Sequence, residues 1–230
     1  MADNKEGSLF LRVVWAIMRK DLAVEWRSRQ ILTSMLVFSM LVVMIFHFAL
    51  DLSPALQQEA AAGVVWLTFT FAATLGLNRS AALEMENSCL DGLLLAPVDR
   101  TAILFGKAGS NLVLVLALEL VVLPLVSLLF NINLLQPGLL LVVLLGSLGY
   151  ILAGTMLSMM AMNSRTRDML LPLLLLPVVL PLLIPAVRAS MYMLQGQGTK
   201  MVQPHLNLLI AIDVIYLALA YMTFDQVVEE

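Results

Sequence analysis

Charge is scarce in this chain. Only 13% of its 230 residues are Asp, Glu, Lys or Arg, about half of what an ordinary soluble domain carries. With 61% hydrophobic residues and a mean hydropathy of +0.95, a soluble globular protein is excluded. Cysteine is almost missing: Cys89 stands alone, so there is no internal disulfide framework and no cysteine-built metal site. The 13 Lys and Arg residues are scattered and the net charge is −3, which removes the basic footprint of a nucleic-acid binder. The phosphate-cradling pattern G-x-x-x-x-G-K-[ST] is also absent. Gly106 and Lys107 follow Thr101 where a glycine is needed, and Ala108 replaces the hydroxyl residue, so this chain has no phosphate cradle of that kind. Without a C-x-x-C-H motif, no covalent c-type haem is attached here.

What the chain does have is apolar length. A spanning helix takes roughly 20 apolar residues, and runs of that length place six spans, at Ile31–Leu50, Ala60–Leu77, Ala108–Phe130, Gly138–Met162, Met169–Val187 and His205–Phe224. The expected fold is an all-α polytopic membrane protein. It comprises a leader over 1–30, one six-helix domain over 31–224 with its longest polar segment at 78–107, and a tail over 225–230. Taken by alternate loops, eleven Lys and Arg fall on one side and two on the other, so the positive-inside rule predicts both termini in the cytoplasm. Six of them precede the first apolar run, unlike a cleavable signal peptide.

The leader interleaves Leu9, Val13, Ile17 and Leu22 with Arg12, Arg19, Lys20, Arg27 and Arg29, and adds Trp15 and Trp26. This spacing predicts an amphipathic helix in the cytoplasmic interface of the bilayer. In the fourth span Gly146, Gly149 and Ala153, with Gly154 and Ser158 further round, permit close approach of another helix; a helix of this chain and one of a second copy both fit. The fifth span contains Pro172, Pro177, Pro181 and Pro185, which argues against a straight lipid-exposed helix. The segment from Arg188 to Pro204 is rich in Gly, Gln and Met, and an outer re-entrant hairpin is expected in part of it.

Two acids fall inside spans, Glu119 and Asp213. An ionised group is costly there, so each is expected to be neutral and helix-bridging, with Asn111, Tyr150 or Tyr216 as partners. A place on a substrate path is the competing reading. The two histidines, His47 and His205, stand at the outer ends of the first and sixth spans; they read as interfacial polar residues, with axial ligation of a metal-centred ligand as the competing reading. The methionines at 156, 159, 160, 162, 191, 193 and 201 read as gap-fillers at helix contacts.

The functional signal lies in the polar segment. From Glu84 to Pro97 it reads as a short cytoplasmic helix with Glu84, Asn87, Ser88 and Asp91 on a polar face, Leu90, Leu93 and Leu94 on an apolar one, and Pro97 as its stop. Such a peg suits a soluble partner, the leucines entering a groove and Glu84, Glu86 and Asp91 setting the register. A surface loop with some helical propensity fits the same residues.

This acidic, leucine-rich stretch, closed by Pro97 and followed by Thr101–Lys107, resembles the coupling segment of type-2 ABC-exporter permeases. Within that group the chain resembles the haem exporter protein B (CcmB-type) family of cytochrome c maturation. The likeness rests on length, six spans, the amphipathic leader, the Leu90–Pro97 core and the proline-studded fifth span. Asn87 and Ser88 replace the more usual Gly-Thr, and the tail is acidic. The resemblance implies a permease subunit in the bacterial inner membrane that is not itself an enzyme and that couples ATP hydrolysis by a separate subunit to haem export or to release of the haem-loaded chaperone. Its implied partners are that ATPase, a haem-handling membrane subunit, an outer-face haem chaperone and a second permease copy. Haem is then the handled ligand rather than a resident cofactor, and ATP acts only through the partner. Two other readings stay open: a permease for a lipid, glycan or drug, and a non-conducting subunit that releases a partner's haem.

Overall fold

The computed structural model describes residues 3–49, 54–86, 99–161 and 167–227, with side chains over 9–49, 60–85, 99–161 and 170–222. Among them are seven helices: α1 (Asp3–Ser28), α2 (Gln30–Ala49), α3 (Pro54–Glu86), α4 (Arg100–Leu129), α5 (Pro137–Ala161), α6 (Arg167–Leu194) and α7 (Thr199–Val227). Six of these, α2 to α7, are long and apolar enough to cross a membrane. Helix is the form that apolar surroundings impose, because every backbone donor and acceptor then finds its partner within the segment.

The helices overrun the predicted spans. α3 continues past Leu77 to Glu86, and α4 starts at Arg100 rather than Ala108. Span boundaries in a sequence mark where the apolar surroundings end, whereas the helix stops only when its residues cease to favour it. Ala81, Ala82, Leu83, Glu84 and Met85 are all strong helix formers.

α3 and α5 form the most enclosed layer. α3 packs against α2, α4, α5 and α6, and α5 against α4, α6 and α7. The small-residue stripe of α5 meets partners within the chain. A Cβ on Gly146 would enter the ring of Trp66, one on Gly154 would meet Leu77, and one on Gly149 would collide with Asp213 and Leu182. Elsewhere Met35 lies over Gly76, Met18 over Gly109 and Met193 over Gly138, flexible thioethers filling the gaps that glycines leave.

α6 is one continuous helix despite its four prolines. Leu171, Leu175, Val179, Leu182, Ala186 and Ala189 form its buried stripe, while Pro177 and Pro181 sit on the exposed side. The Tyr216 hydroxyl of α7 donates to the carbonyl of Val178, a helix-to-helix contact beside Pro177. The expected outer re-entrant hairpin is not present. α6 runs to Leu194 and a tight turn leads directly into α7. Gly196 adopts φ +66° while the N–H groups of Gly196 and Gln197 bond the carbonyls of Met193 and Tyr192 at 3.1 and 2.9 Å. This is a Schellman closure, for which glycine is the natural residue, and Pro204 is tolerated inside the first turns of α7.

Candidate functional site

The predicted docking peg connects α3 to α4. Leu90, Asp91, Leu93, Leu94 and Pro97 lie outside the described residues, as does the side chain of Glu86. Both flanks of the peg are defined. α4 is capped by Asp99, whose Oδ1 accepts the Thr101 N–H at 2.9 Å. On the other flank Glu84 is a residue of α3, buried and paired with Lys107 of α4, so the bundle holds it instead of leaving it on an open polar face.

Lys107 is the hub of this junction. Its side chain is 4% exposed, and Nζ also lies 2.9 Å from Oδ2 of Asp21 on α1. Asp21 in turn contacts Lys20 at 3.1 Å and accepts a hydrogen bond from Ser110 at 3.4 Å. Two acids thus face two lysines, and the group is formally neutral. Withdrawing an ammonium from water costs several kcal/mol, and burial is tolerable only when such partners compensate it. Three helices, α1, α3 and α4, therefore converge on one buried cation beside the peg.

Close packing seats α1 in that junction. A Cβ on Gly106 would lie 2.8 Å from Cβ of Ile17 and 3.3 Å from the Val14 carbonyl, and one on Gly109 would lie 2.6 Å from Sδ of Met18. Phe10 stacks edge-on against Phe105, ring centroids 6.2 Å apart. Leu11, Trp15 and Trp26 stay exposed, leaving a second apolar stripe on α1 beside the one docked on α4. α1 ends in an elbow at Arg29, with φ 54°. There the buried Glu25 caps the next helix, its Oε1 accepting the Leu32 N–H at 2.9 Å and its Oε2 the Ser28 hydroxyl at 3.4 Å.

Lys107, Asp21, Glu25, Gly106 and Gly109 do not stand out in the sequence as members of one site. The available signals were a lysine beside a long apolar run, two acids in a basic leader, and a G-x-x-G pair at the start of a span.

The intramembrane acids behave differently from each other. Glu119 of α4 accepts a hydrogen bond from Ser147 of α5, so it does bridge helices, though not to a residue named beforehand. Asp213 of α7 is buried against Gly149, and neither of its oxygens has a hydrogen-bond partner among the described residues. The expected partners are engaged elsewhere. Asn111 donates to Thr155 at 3.3 Å, Tyr150 donates to the Thr70 carbonyl at 2.8 Å and lies 2.6 Å from the Thr74 hydroxyl, and Tyr216 is spent on Val178. Trp66 Nε1 donates to Ser190 at 2.9 Å, tying α3 to α6.

His47 and His205 occupy separate aromatic contacts. His47 stands edge-on to Phe48 and Phe130, at 5.4 and 5.6 Å. His205 packs on Tyr192 at 5.4 Å, with Nδ1 3.1 Å from the Met201 carbonyl.

Residues 12–229 match the family model described as CcmB protein. The chain belongs to the CcmB family. Its relatives carry a matching name. Over 177 residues, 74% of this chain, it is 30% identical to heme exporter protein B of Rhodobacter capsulatus and covers 78% of that protein. Over 185 residues it is 27% identical to heme exporter protein B of Bradyrhizobium diazoefficiens, with 79% of this chain and 82% of the relative covered. The match to heme exporter protein B of Escherichia coli K12 is 26% over 97 residues, 42% of this chain and 44% of that one. CcmB membership joins the six apolar helices in defining a multi-pass membrane protein of a transport family.

Proposed function

We propose that this chain is the membrane permease subunit of an ABC-type complex for haem export in cytochrome c maturation. It works in the bacterial inner membrane with both termini in the cytoplasm, and a separate ATPase docks on the segment between α3 and α4. The observation that carries this reading is the Lys107 junction. A segment fixed at one end through Glu84 and at the other through the Asp99-capped start of α4 hands any displacement to α1, α3 and α4 together. In this account Leu90, Leu93 and Leu94 anchor the ATPase, Glu86 and Asp91 align it, and Glu84 passes its motion inward through Lys107. The names of the relatives support haem over a lipid, glycan or drug as the handled compound.

One observation favours a second form of the same role. Two cavities inside the bundle, one lined by Trp66, Phe69 and Tyr150 and the other by Leu77, Lys107 and Asn111, each measure about 10 Å³, room for no more than a water molecule. Tight filling at these two places suits a subunit that moves a partner's haem by changing its packing. Reconstitution separates the two forms. With its ATPase alone in vesicles, a conduit moves haem across the bilayer on ATP addition. A release subunit hydrolyses ATP without moving haem until the haem-holding membrane partner is added. Absence of any haem movement or release in both arms contradicts the proposal.

A further inference from the structure

A shallow, open groove of about 750 Å³ runs along α2 from the elbow where α1 bends into it, with Arg79 of α3 at its edge. Two arginines flank its mouth, Arg29 at the elbow and Arg79 on α3, both exposed. Arg79 Nη2 donates to the neutral amide oxygen of Gln30 at 2.9 Å, and Arg29 has no ion pair among the described residues. No Asp or Glu lines the groove. Two positive charges therefore border one concavity whose lining holds no acid, and the carboxylate at the elbow, Glu25, is buried and engaged with the Leu32 N–H and the Ser28 hydroxyl.

Arg29 is held there at a conformational cost. Its φ of 54° lies in the left-handed region, which arginine seldom adopts. The turn is maintained by its own N–H, 2.7 Å from the Glu25 carbonyl, and by its carbonyl, which accepts the Thr33 N–H at 3.2 Å. Further along α2 the groove changes character. Thr33 and Ser34 follow the arginines, and then come Val37 and Leu41, 54% and 58% exposed, beside Phe38. From Arg29 to Leu41 the polarity thus falls from charged to hydroxylic to hydrocarbon over ~18 Å of helix.

We propose that this groove binds an anionic phospholipid, its phosphate on Arg29 and Arg79 and an acyl chain along Val37, Phe38 and Leu41. Paired guanidiniums suit a phosphate because their forked donors match its oxygens. The apolar floor selects a lipid over a free anion, and the absence of a carboxylate in the groove agrees with a negatively charged occupant.

The test uses the full chain purified in detergent and offered equal amounts of phosphatidylglycerol and phosphatidylcholine, with retained lipid read by native mass spectrometry. Phosphatidylglycerol should be retained preferentially, by roughly fivefold per arginine, and Arg29→Gln with Arg79→Gln should abolish the preference while oligomeric state and helix content stay unchanged. If the double variant is not recovered, Arg79→Gln alone leaves the elbow intact and should reduce the preference by the share of one arginine. Equal retention of the two lipids by the parent overturns the proposal, as does an undiminished preference in the variants. Displacement of the lipid by inorganic phosphate alone would mean a free-anion site and also overturns it. So would loss of a dimer in the variants with lipid retention unaltered, because the groove would then hold a second copy.

Discussion

Lys107 Nζ lies 2.9 Å from Asp21 Oδ2, joining the amphipathic N-terminal helix to the start of the third span. The same ammonium pairs with Glu84 at the end of the second. The helix that precedes the spans is therefore tied into the bundle by a buried ion pair.

Removing the cation should expose that dependence. Lys107→Met leaves Glu84 and Asp21 without their shared partner, and breaking a buried pair in this way costs roughly 3 kcal/mol or more. Unfolding in detergent, followed by circular dichroism, should show the loss. Lys107→Met combined with Glu84→Met should recover much of it, because the orphaned carboxylate is gone. A single variant as stable as the parent would mean that the junction is not held by charge.

Gly106 should be intolerant of even one methyl group. Gly106→Ala forces Ile17 and the α1 backbone away, an overpacking cost of roughly 1–3 kcal/mol. At Gly63 an added Cβ would meet nothing within 4 Å among the described residues, so Gly63→Ala should be neutral or should stabilise by roughly 0.5–1 kcal/mol through helix propensity. Thermal unfolding of the two variants in detergent compares them directly. Equal effects at the two positions would contradict the seating of α1 on α4.

Glu119 and Asp213 should respond in opposite ways. Glu119→Ala breaks the contact with Ser147, and a double-mutant cycle with Ser147→Ala should give a coupling of roughly 1 kcal/mol. Asp213→Ala deletes a buried group that has no hydrogen-bond partner among the described residues, so unfolding should not become easier. If Asp213→Ala is stable yet inactive in haem transfer, the carboxylate serves function; if it unfolds readily, it serves the fold.

The eleven against two distribution of Lys and Arg predicts that both termini are cytoplasmic. Reporter fusions at Asp3 and Glu230 should both signal from the cytoplasm. An outer-side signal at either end would overturn the six-span topology.

The spans were legible because sustained hydrophobicity is a direct readout of the surroundings each segment needs. Their ends were less so: helix formers such as Ala81 and Met85 carry α3 beyond its apolar part. The stripe of small residues on α5 announced a close neighbour without naming it, since Trp66, Leu77 and Asp213 come from distant parts of the chain. The same distance hid the junction. Asp21, Glu84 and Lys107 look like unrelated surface charges until three helices bring them together. Pro172, Pro177, Pro181 and Pro185 argued against a straight lipid-exposed helix without saying whether the chain breaks; α6 continues through all four, with Pro177 and Pro181 on its exposed side.

The central claim, that the segment between α3 and α4 is where an ATPase subunit engages, is tested most directly by co-purification. Apolar anchors usually carry most of an interface's energy, so Leu93→Ala with Leu94→Ala should detach the ATPase from the membrane subunit in detergent and abolish haem-coupled ATP hydrolysis, while the six-helix bundle remains folded. If the double variant retains its ATPase as firmly as the parent and supports the same coupled hydrolysis, the segment is a connecting loop and the claim is contradicted.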